Sequence, residues 1–301
     1  MNNIFLELKK NLVGEFRESF DLSKSTWLNI GGEARFFFIP KDIKDLQTLI
    51  KNNNNKLPIK IIGSGSNLLI RDKGFDGIII KFGKEFDYVT LKKNILSCGP
   101  STLKSTVARF ALDNNLKNLE FLNCIPGTVA GGIIMNSGCY GSDMSKIVKT
   151  VTVIDNFGVI NILTNKQINF SYRNSSIKQF HIIINVEMEG VNSDKSKILK
   201  TMETLKSKKT IDQPQRIKTG GSTFKNPINS KKKAWQLIKD SDCSDFSVGN
   251  IKLSKIHCNF LENTGNATSD DAELLINKIK LEVKKKTNIN LELELEVIGN
   301  K

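Results

Sequence analysis

The spacing of apolar and polar residues predicts an α/β arrangement for the start of the chain. Segment 41–55 has apolar residues three and four positions apart, which is typical of a helix. Three short apolar runs follow, at 59–63, 67–70 and 77–80, and a Gly/Ser turn separates the first two. Runs of this length between turn residues predict strands.

The patterns in the middle of the chain are richer in strand. A hairpin is predicted at 88–100 and a helix with a Ser/Thr start at 101–115. Further strands are predicted for VKTVTVIDNFGVINILT, with NFG as its turn, and for FHIIINVEME.

The last third of the chain begins after a lysine-rich helix predicted at 194–209. It contains a Gly/Ser loop, two further helices and a strand, which are predicted at 219–223, 231–240, 269–286 and 255–262. The chain ends in LELELEV, and strict alternation of this kind predicts a half-exposed strand. We therefore expect three domains, which span residues 1–82, 83–205 and 206–301.

Composition excludes several classes of protein. Of the 301 residues, 39% are hydrophobic and 25% are charged, as in ordinary soluble domains. No apolar run approaches the roughly 20 residues that span a bilayer, and the N-terminus lacks the apolar core of a signal peptide. The five cysteines include no C-x-x-C pair, which argues against a zinc site or a disulfide framework and favours reduced thiols. These features predict a cytoplasmic protein without a membrane span or a metal site.

The net charge of +14 is compatible with nucleic acid, a membrane surface or an anionic small substrate. The lysines are spread along the chain, and the excess of Lys, Asn and Ile is typical of an AT-rich genome. Aromatic residues are too few and too scattered for a platform on which bases stack. A basic RNA-binding protein therefore remains only as an alternative.

Two glycine-rich loops are candidates for binding phosphate. Gly63-Ser64-Gly65-Ser66-Asn67 follows a predicted strand, and its amides and hydroxyls suit an anion, although a tight hairpin turn explains the pattern as well. It lacks the third glycine of the Rossmann fingerprint. A second loop, IPGTVAGG at 125–132, has three glycines in six residues. The two loops suggest two walls around one pyrophosphate.

Two polar motifs are candidates for binding a substrate. FSYRNS at 170–175 offers an arginine whose planar fork suits a carboxylate or phosphate. GGSTFKNP at 220–227 holds a serine after a Gly-Gly turn, without the G-x-S-x-G elbow of a hydrolase. Either motif is also compatible with a surface turn. Of the two histidines, His181 is interpreted as structural, and His257 is compatible with a packed strand position.

Taken in order along nearly the whole chain, these motifs resemble the UDP-N-acetylenolpyruvoylglucosamine reductase family, and specifically its shorter, second-type branch. The resemblance implies an α+β fold of three domains. Two of them form a vanillyl-alcohol-oxidase-type FAD-binding module, and the third binds the sugar nucleotide. It also implies non-covalent FAD, NADPH as co-substrate and a role in peptidoglycan precursor synthesis. We expect a monomer that acts on small molecules and binds no nucleic acid. An oxidase of the same flavin fold is the competing enzyme.

The resemblance also implies roles for individual residues. Arg173 matches the active-site arginine and Ser222 the serine proton donor. Substrate-contacting positions match Tyr172, Lys225, Asn226 and His257. Positions that hold FAD match Gly63, Ser64, Gly65, Ser66, Asn67, Leu68, Pro126, Gly127, Thr128 and Gly131.

The catalytic glutamate has three candidates, Glu292, Glu294 and Glu296. Counting back from Ile298-Gly299 in the family's terminal pattern selects Glu294. Alternation along a strand does not distinguish them, because it places all three side chains on one face.

Overall fold

Two compact units make up the chain, which the computed structural model describes over residues 3–177 and 181–301. The first unit comprises Met1–Glu18, Phe36–Gly63 and Gly77–Lys209. The second comprises Ser19–Arg35, Ser64–Asp76 and Thr210–Lys301. Both units are therefore discontinuous in sequence. The division into three continuous domains stays a prediction.

A four-stranded sheet and two helices open the chain. The helices are α1 (Asn3–Lys9) and α2 (Ile43–Asn53), and the strands are β1 (Glu15–Asp21), β2 (Glu33–Ile39), β3 (Ile59–Ile62), β4 (Leu68–Ile70) and β5 (Phe75–Lys81). The sheet has the order β1-β2-β5-β3, and β3 and β5 pair in parallel. Leu46, Leu49 and Ile50 of α2 pack in a core with Phe36 and Phe38 of β2. The predicted helix and the three predicted strands are confirmed.

A five-stranded antiparallel sheet, ordered β12-β11-β13-β7-β6, carries the other core of the first unit. Strands in this part are β6 (Val89–Lys92), β7 (Ile95–Cys98), β8 (Leu116–Lys117), β9 (Gly138–Cys139), β10 (Ser142–Asp143), β11 (Val148–Ile154), β12 (Ile160–Thr164), β13 (Ile182–Glu189) and β14 (Val191–Asn192). The helices are α3 (Lys104–Asp113), α4 (Val129–Ile134), α5 (Asn165–Ile168) and α6 (Lys195–Asp212). Both predicted hairpins are confirmed. Phe180, in the last predicted strand segment, lies outside the described residues.

The second unit builds its own core around two helices. These are α7 (Ala234–Asp240) and α8 (Ser269–Thr287), and the strands are β15 (Ser247–Val248), β16 (Ile251–Leu253), β17 (Leu261–Asn263) and β18 (Glu296–Ile298). Strands β15, β16 and β17 form an antiparallel sheet, and β18 pairs in parallel with β4. Short 3-10 helices elsewhere in the chain span Ser23–Ser25, Lys84–Phe86, Glu120–Cys124 and Met144–Lys146.

Two sequence predictions in this unit are wrong in part. The strand expected at 255–262 is regular only from Leu261, because the residues before it hydrogen-bond with a loop instead of a strand. The terminal LELELEV segment is regular only from Glu296, and a bend at Leu295 precedes that strand. Glu292 is exposed, whereas Glu294 and Glu296 are half-buried. The expectation that the three glutamates share one face stays a prediction.

Among the described residues, no helix is both long enough and apolar enough to cross a membrane. No group of three or more His, Cys, Asp or Glu side chains within the described ranges could hold a metal ion.

Candidate active site

The first glycine loop carries a run of unpaired backbone amides. Gly65 has a φ of +72°, and a Cβ at this position would lie 2.0 Å from the Ser25 carbonyl oxygen, so the turn requires glycine. The four amides of residues 64–67 donate to no acceptor in the described part of the chain. Consecutive unpaired amides form a concave nest that attracts an anion. The loop therefore fits the predicted pyrophosphate.

The second glycine loop lies beside Gly63. A Cβ on Gly63 would lie 2.6 Å from Thr128 Oγ1, so Gly63 and Thr128 are in contact. Thr128 caps α4, and its Oγ1 accepts the N–H of Gly131 at 3.3 Å. The amides of Val129 and Ala130 donate to carbonyl oxygens before α3, at 2.8 and 3.2 Å. The first three amides of α4 are therefore paired within the protein, although Gly131 itself is exposed.

Arg173 lies in a tight turn with an unusual backbone conformation. Two hydrogen bonds between Ser171 and Asn174 close the turn, at 3.0 and 3.2 Å, and Arg173 has a φ of +54°. Its Nη2 donates to the Gly138 carbonyl oxygen at 2.8 Å, and the guanidinium carbon lies 5.3 Å from the centre of the Tyr172 ring. A non-glycine residue at positive φ is strained, and such strain concentrates at functional sites.

Side-chain hydrogen bonds fix this turn to the end of α4. Asn136 Nδ2 donates to the Ser171 carbonyl oxygen at 3.0 Å, and Ser175 Oγ donates to the Ile134 carbonyl oxygen at 3.1 Å. The first unit therefore brings together two of the motifs that the sequence analysis singled out, FSYRNS and IPGTVAGG.

A buried lysine, Lys104, lies beside Gly132 of α4. Lys104 is 3% exposed, and its backbone N–H donates to the carbonyl oxygen of Gly127, which has a φ of +101°. A Cβ on Gly132 would lie 3.1 Å from Ser137 Oγ and 3.5 Å from Lys104 Nζ. Ser137 Oγ is itself buried and has no hydrogen-bond partner among the described residues. Burial, with a smaller contribution from the charge of Arg173, lowers the pKa of Lys104 to about 7.

Asn259 hydrogen-bonds to the two residues that follow Ser222, through its backbone and through its side chain. Ser222 forms a bridge with Phe260, and the N–H of Thr223 donates to the Asn259 carbonyl oxygen at 2.8 Å. The Asn259 side chain accepts the N–H of Phe224 at 3.0 Å and donates to the Phe224 carbonyl oxygen at 2.9 Å. This arrangement fixes the backbone that carries Ser222.

The three candidate glutamates have different surroundings. The N–H of Glu294 donates to the carbonyl oxygen of Thr223 at 2.9 Å, which places Glu294 beside the residue that follows Ser222. Glu292 has a side chain that is 79% exposed and forms an ion pair with Lys225 at 3.7 Å. The N–H of Glu296 donates to the carbonyl oxygen of Asn67 at 3.1 Å. Proximity to Thr223 therefore favours Glu294.

Two predicted substrate positions have structural partners. Asn226 Oδ1 accepts the N–H of Ala234, the first residue of α7, at 3.0 Å. His257 Nδ1 accepts the N–H of Asn259 at 3.3 Å, and its ring packs edge-on against Phe260 at 4.9 Å. Burial lowers the pKa of His257, which favours the neutral ring. Among the predicted FAD positions, Leu68 is a buried residue of β4.

Sequence reasoning missed two residues of these clusters, Lys104 and Asn259. The sequence carried no signal for the burial of Lys104, because a lysine at a helix start is ordinarily exposed. The paired hydrogen bonds of Asn259 depend on a contact with residues 35 positions away.

Comparison with known families agrees with this geometry. Residues 34–163 match the family described as FAD binding domain. Residues 213–298 match the family described as UDP-N-acetylenolpyruvoylglucosamine reductase, C-terminal domain. The fold is thus α+β with several domains, as predicted, and the chain is a flavoprotein oxidoreductase with FAD as its cofactor.

Relatives that align over nearly the whole chain show to which family of flavoprotein oxidoreductases it belongs. The UDP-N-acetylenolpyruvoylglucosamine reductase of Wolbachia pipientis subsp. Culex pipiens is 45% identical over 290 residues, which are 96% of this chain and 97% of the relative. That of Orientia tsutsugamushi (strain Boryong) is 41% identical over 96% of both chains. The crystal structure of the Thermus caldophilus reductase superposes with a TM-score of 0.81 at 28% identity, covering 94% of this chain and 98% of that one. The chain belongs to the UDP-N-acetylenolpyruvoylglucosamine reductase family, which confirms the resemblance.

Proposed function

We propose that this chain reduces the enolpyruvyl ether of UDP-N-acetylglucosamine to UDP-N-acetylmuramate with NADPH, during peptidoglycan precursor synthesis. The observation that carries the proposal is the placement of Glu294 beside the Ser222 loop, together with the strained turn that presents Arg173. The membership of the family supports the same reaction. We further propose that the enzyme is a cytoplasmic monomer that binds no nucleic acid.

The residues proposed to hold FAD are Gly63, Ser64, Gly65, Ser66, Asn67, Leu68, Pro126, Gly127, Thr128 and Gly131. The unpaired amides of the first loop fit a pyrophosphate, and this fit supports the assignment. The FAD is proposed to bind non-covalently, because no His or Cys of this sequence matches a position of covalent flavin attachment. When bound, FAD supplies hydride transfer between the nicotinamide and the enolpyruvyl double bond.

The chain's own residues act on the charge that forms in the substrate. Addition of hydride to the terminal methylene carbon leaves negative charge on the alpha carbon and its carboxylate. Arg173 stabilises this charge through its planar fork, and a protonated Glu294 stabilises it by donating a hydrogen bond. The Ser222 hydroxyl then transfers its proton to the alpha carbon and completes the lactyl ether. Tyr172, Lys225, Asn226 and His257 orient the substrate.

The test separates the two half-reactions by stopped-flow absorbance of the flavin. Ser222→Ala should leave reduction by NADPH nearly intact and slow reoxidation by the enolpyruvyl substrate by about 10² or more, since the general acid is lost. Ser230→Ala, at a half-buried serine just after the turn at 228–229 of the same unit, is the matched control and should change neither rate. If alanine at Ser222 slows both half-reactions equally, or neither, Ser222 is not the proton donor. Rapid flavin reduction by alcohols would instead identify an oxidase.

A further inference from the structure

Both backbone polar groups of Glu294 form hydrogen bonds, and the two partners lie in different loops of the second unit. The N–H of Glu294 donates to the carbonyl oxygen of Thr223, the residue after Ser222, at 2.9 Å. The carbonyl oxygen of Glu294 accepts a hydrogen bond from Nδ2 of Asn67, the last residue of the first glycine loop, at 2.9 Å. All four residues belong to the second unit. The backbone of the proposed catalytic glutamate is therefore held from two sides.

Asn67 makes a second hydrogen bond to the same segment. Its carbonyl oxygen accepts the N–H of Glu296 at 3.1 Å, so Asn67 bonds to the peptide groups on both sides of Leu295. Leu295 is 4% exposed and packs in the core of the second unit. Two hydrogen bonds from one residue, with a buried side chain between them, fix residues 294–296 relative to the glycine loop.

The strand pairing shows what the Asn67 side chain replaces. Strands β4 and β18 pair in parallel, and just beyond them the N–H of Arg71 donates to the carbonyl oxygen of Ile298 at 2.9 Å. Continued four residues back along both chains, the same pattern would take the N–H of Asn67 to the carbonyl oxygen of Glu294. That N–H has no acceptor in the described part of the chain, and the Asn67 side chain makes the bond instead. The backbone amide is thus left for the anion nest.

We propose that Asn67 is a positioning residue for Glu294: its side chain holds the backbone of the glutamate, while its own N–H remains available to the pyrophosphate. Asn67 then links the loop proposed to bind FAD to the carboxyl group proposed to stabilise the enolic charge. An asparagine is required because the bond needs a side-chain N–H, and an aspartate of the same shape offers only acceptors when it is ionised. The effect on rate rests on the function proposed above, whereas the hydrogen bonds do not.

Two variants of Asn67 remove the hydrogen bond to Glu294 in different ways. Asn67→Asp keeps the shape of the side chain, and Asn67→Ala removes the donor without adding a charge. Stopped-flow absorbance at saturating FAD measures both half-reactions. Each variant should be reduced by NADPH at nearly the wild-type rate. Reoxidation at saturating enolpyruvyl substrate should slow on the order of tenfold, because a displacement of about 1 Å can cost about 10² in rate. The substrate concentration that gives half of this rate should change little.

A double-mutant cycle shows whether Asn67 acts through Glu294. In the Glu294→Ala background there is no carboxyl group to position. Asn67→Ala should therefore change the reoxidation rate of that variant by less than about twofold, since residues that act together are not additive. A general loss of stability would slow reoxidation by the same factor in both backgrounds, and that result would overturn the proposal.

The matched control is Asn263→Asp. Asn263 Nδ2 donates to the carbonyl oxygen of Leu28, in the same unit, at 2.9 Å. This variant loses a hydrogen bond of the same kind as Asn67→Asp, but none to residues 294–296. Both of its half-reactions should keep nearly the wild-type rates.

Hydrogen exchange of the FAD-loaded protein gives a readout that does not depend on the reaction. Asn67→Ala should speed amide exchange in peptides that contain residues 294–298, and Asn263→Asp should not. Unchanged exchange in Asn67→Ala, or reoxidation of both flavin-loaded Asn67 variants at the wild-type rate, would overturn the proposal. A wild-type enzyme whose reduced flavin the enolpyruvyl sugar does not reoxidise would contradict the proposed function instead. Hydrogen exchange would still decide whether Asn67 holds Glu294.

Discussion

Lys104 places an uncompensated charge in the core of the first unit, and its removal should stabilise the protein in a pH-dependent way. Burial lowers the pKa of this lysine from 10.5 to about 7, with a further contribution from Arg173. The side chain is 3% exposed, so solvent screening does not reduce this effect. A shift of this size corresponds to an upper limit of about 5 kcal/mol of destabilisation when the amine is protonated in both states.

The direction in which stability changes with pH follows from the number of protons that the folded and unfolded chains bind. Below pH 7 both the folded and the unfolded chain carry the protonated amine, and the full destabilisation is present. Between pH 7 and 10.5 only the unfolded chain stays protonated, so stability rises by about 1.4 kcal/mol for each pH unit. Lys104→Met keeps the length of the side chain and removes the charge. The variant should therefore exceed the wild type in stability by about 2 kcal/mol more at pH 7 than at pH 9, since the folded-state amine is already half-deprotonated at pH 7.

Urea unfolding of the FAD-loaded proteins at several pH values measures this difference by linear extrapolation. Lys278→Met, at an exposed position of α8, is the control for the loss of one positive charge. The difference between its free energy of unfolding and that of the wild type should not change with pH. If the difference in free energy of unfolding between Lys104→Met and the wild type is also the same at pH 7 and pH 9, Lys104 is not a buried titrating amine.

Three further substitutions test the site. Arg173→Lys keeps the charge but loses the planar fork, so FAD content should stay normal while single-turnover reoxidation by the substrate slows; an unchanged rate would remove Arg173 from the site. Glu294→Gln should slow that half-reaction much more than Glu292→Gln, whose side chain is exposed, and the reverse order in stopped-flow traces would move the catalytic role to Glu292. Gly127→Val forces a β-branched residue into a φ of +101°, so the purified protein should be colourless, and a folded variant with a full flavin spectrum would refute the role of this loop.

Local sequence signals predicted most of the regular elements. Helix α2 follows from the spacing of Leu46, Leu49 and Ile50, since these residues bury one face in the core. Strands β1 and β2 were not predicted, although β2 contains the buried residues Phe36 and Phe38. The hydrophobic patterns did not predict the backbone conformation correctly where backbone groups hydrogen-bond to side chains far away in sequence. The strand expected at 255–262 is irregular because Asn259 bonds to Phe224 through its side chain.

The candidate site was predictable as a set of motifs, but its contacts were not. The order of the motifs along the chain was enough to indicate the family. The placement of Glu294 beside Thr223 depends on a backbone hydrogen bond between residues far apart in sequence. The alternation of LELELEV carries no information about that contact.

The central claim is that this flavoprotein passes reducing equivalents from NADPH to an enolpyruvyl UDP-sugar. The most direct measurement is the visible spectrum of the purified protein under anaerobic conditions, first after NADPH and then after UDP-N-acetylglucosamine enolpyruvate. We predict a flavin spectrum that NADPH bleaches and that the enolpyruvyl sugar restores, with one lactyl ether formed for each flavin reoxidised. A colourless protein, or a reduced flavin that oxygen reoxidises but the enolpyruvyl sugar does not, would contradict the account.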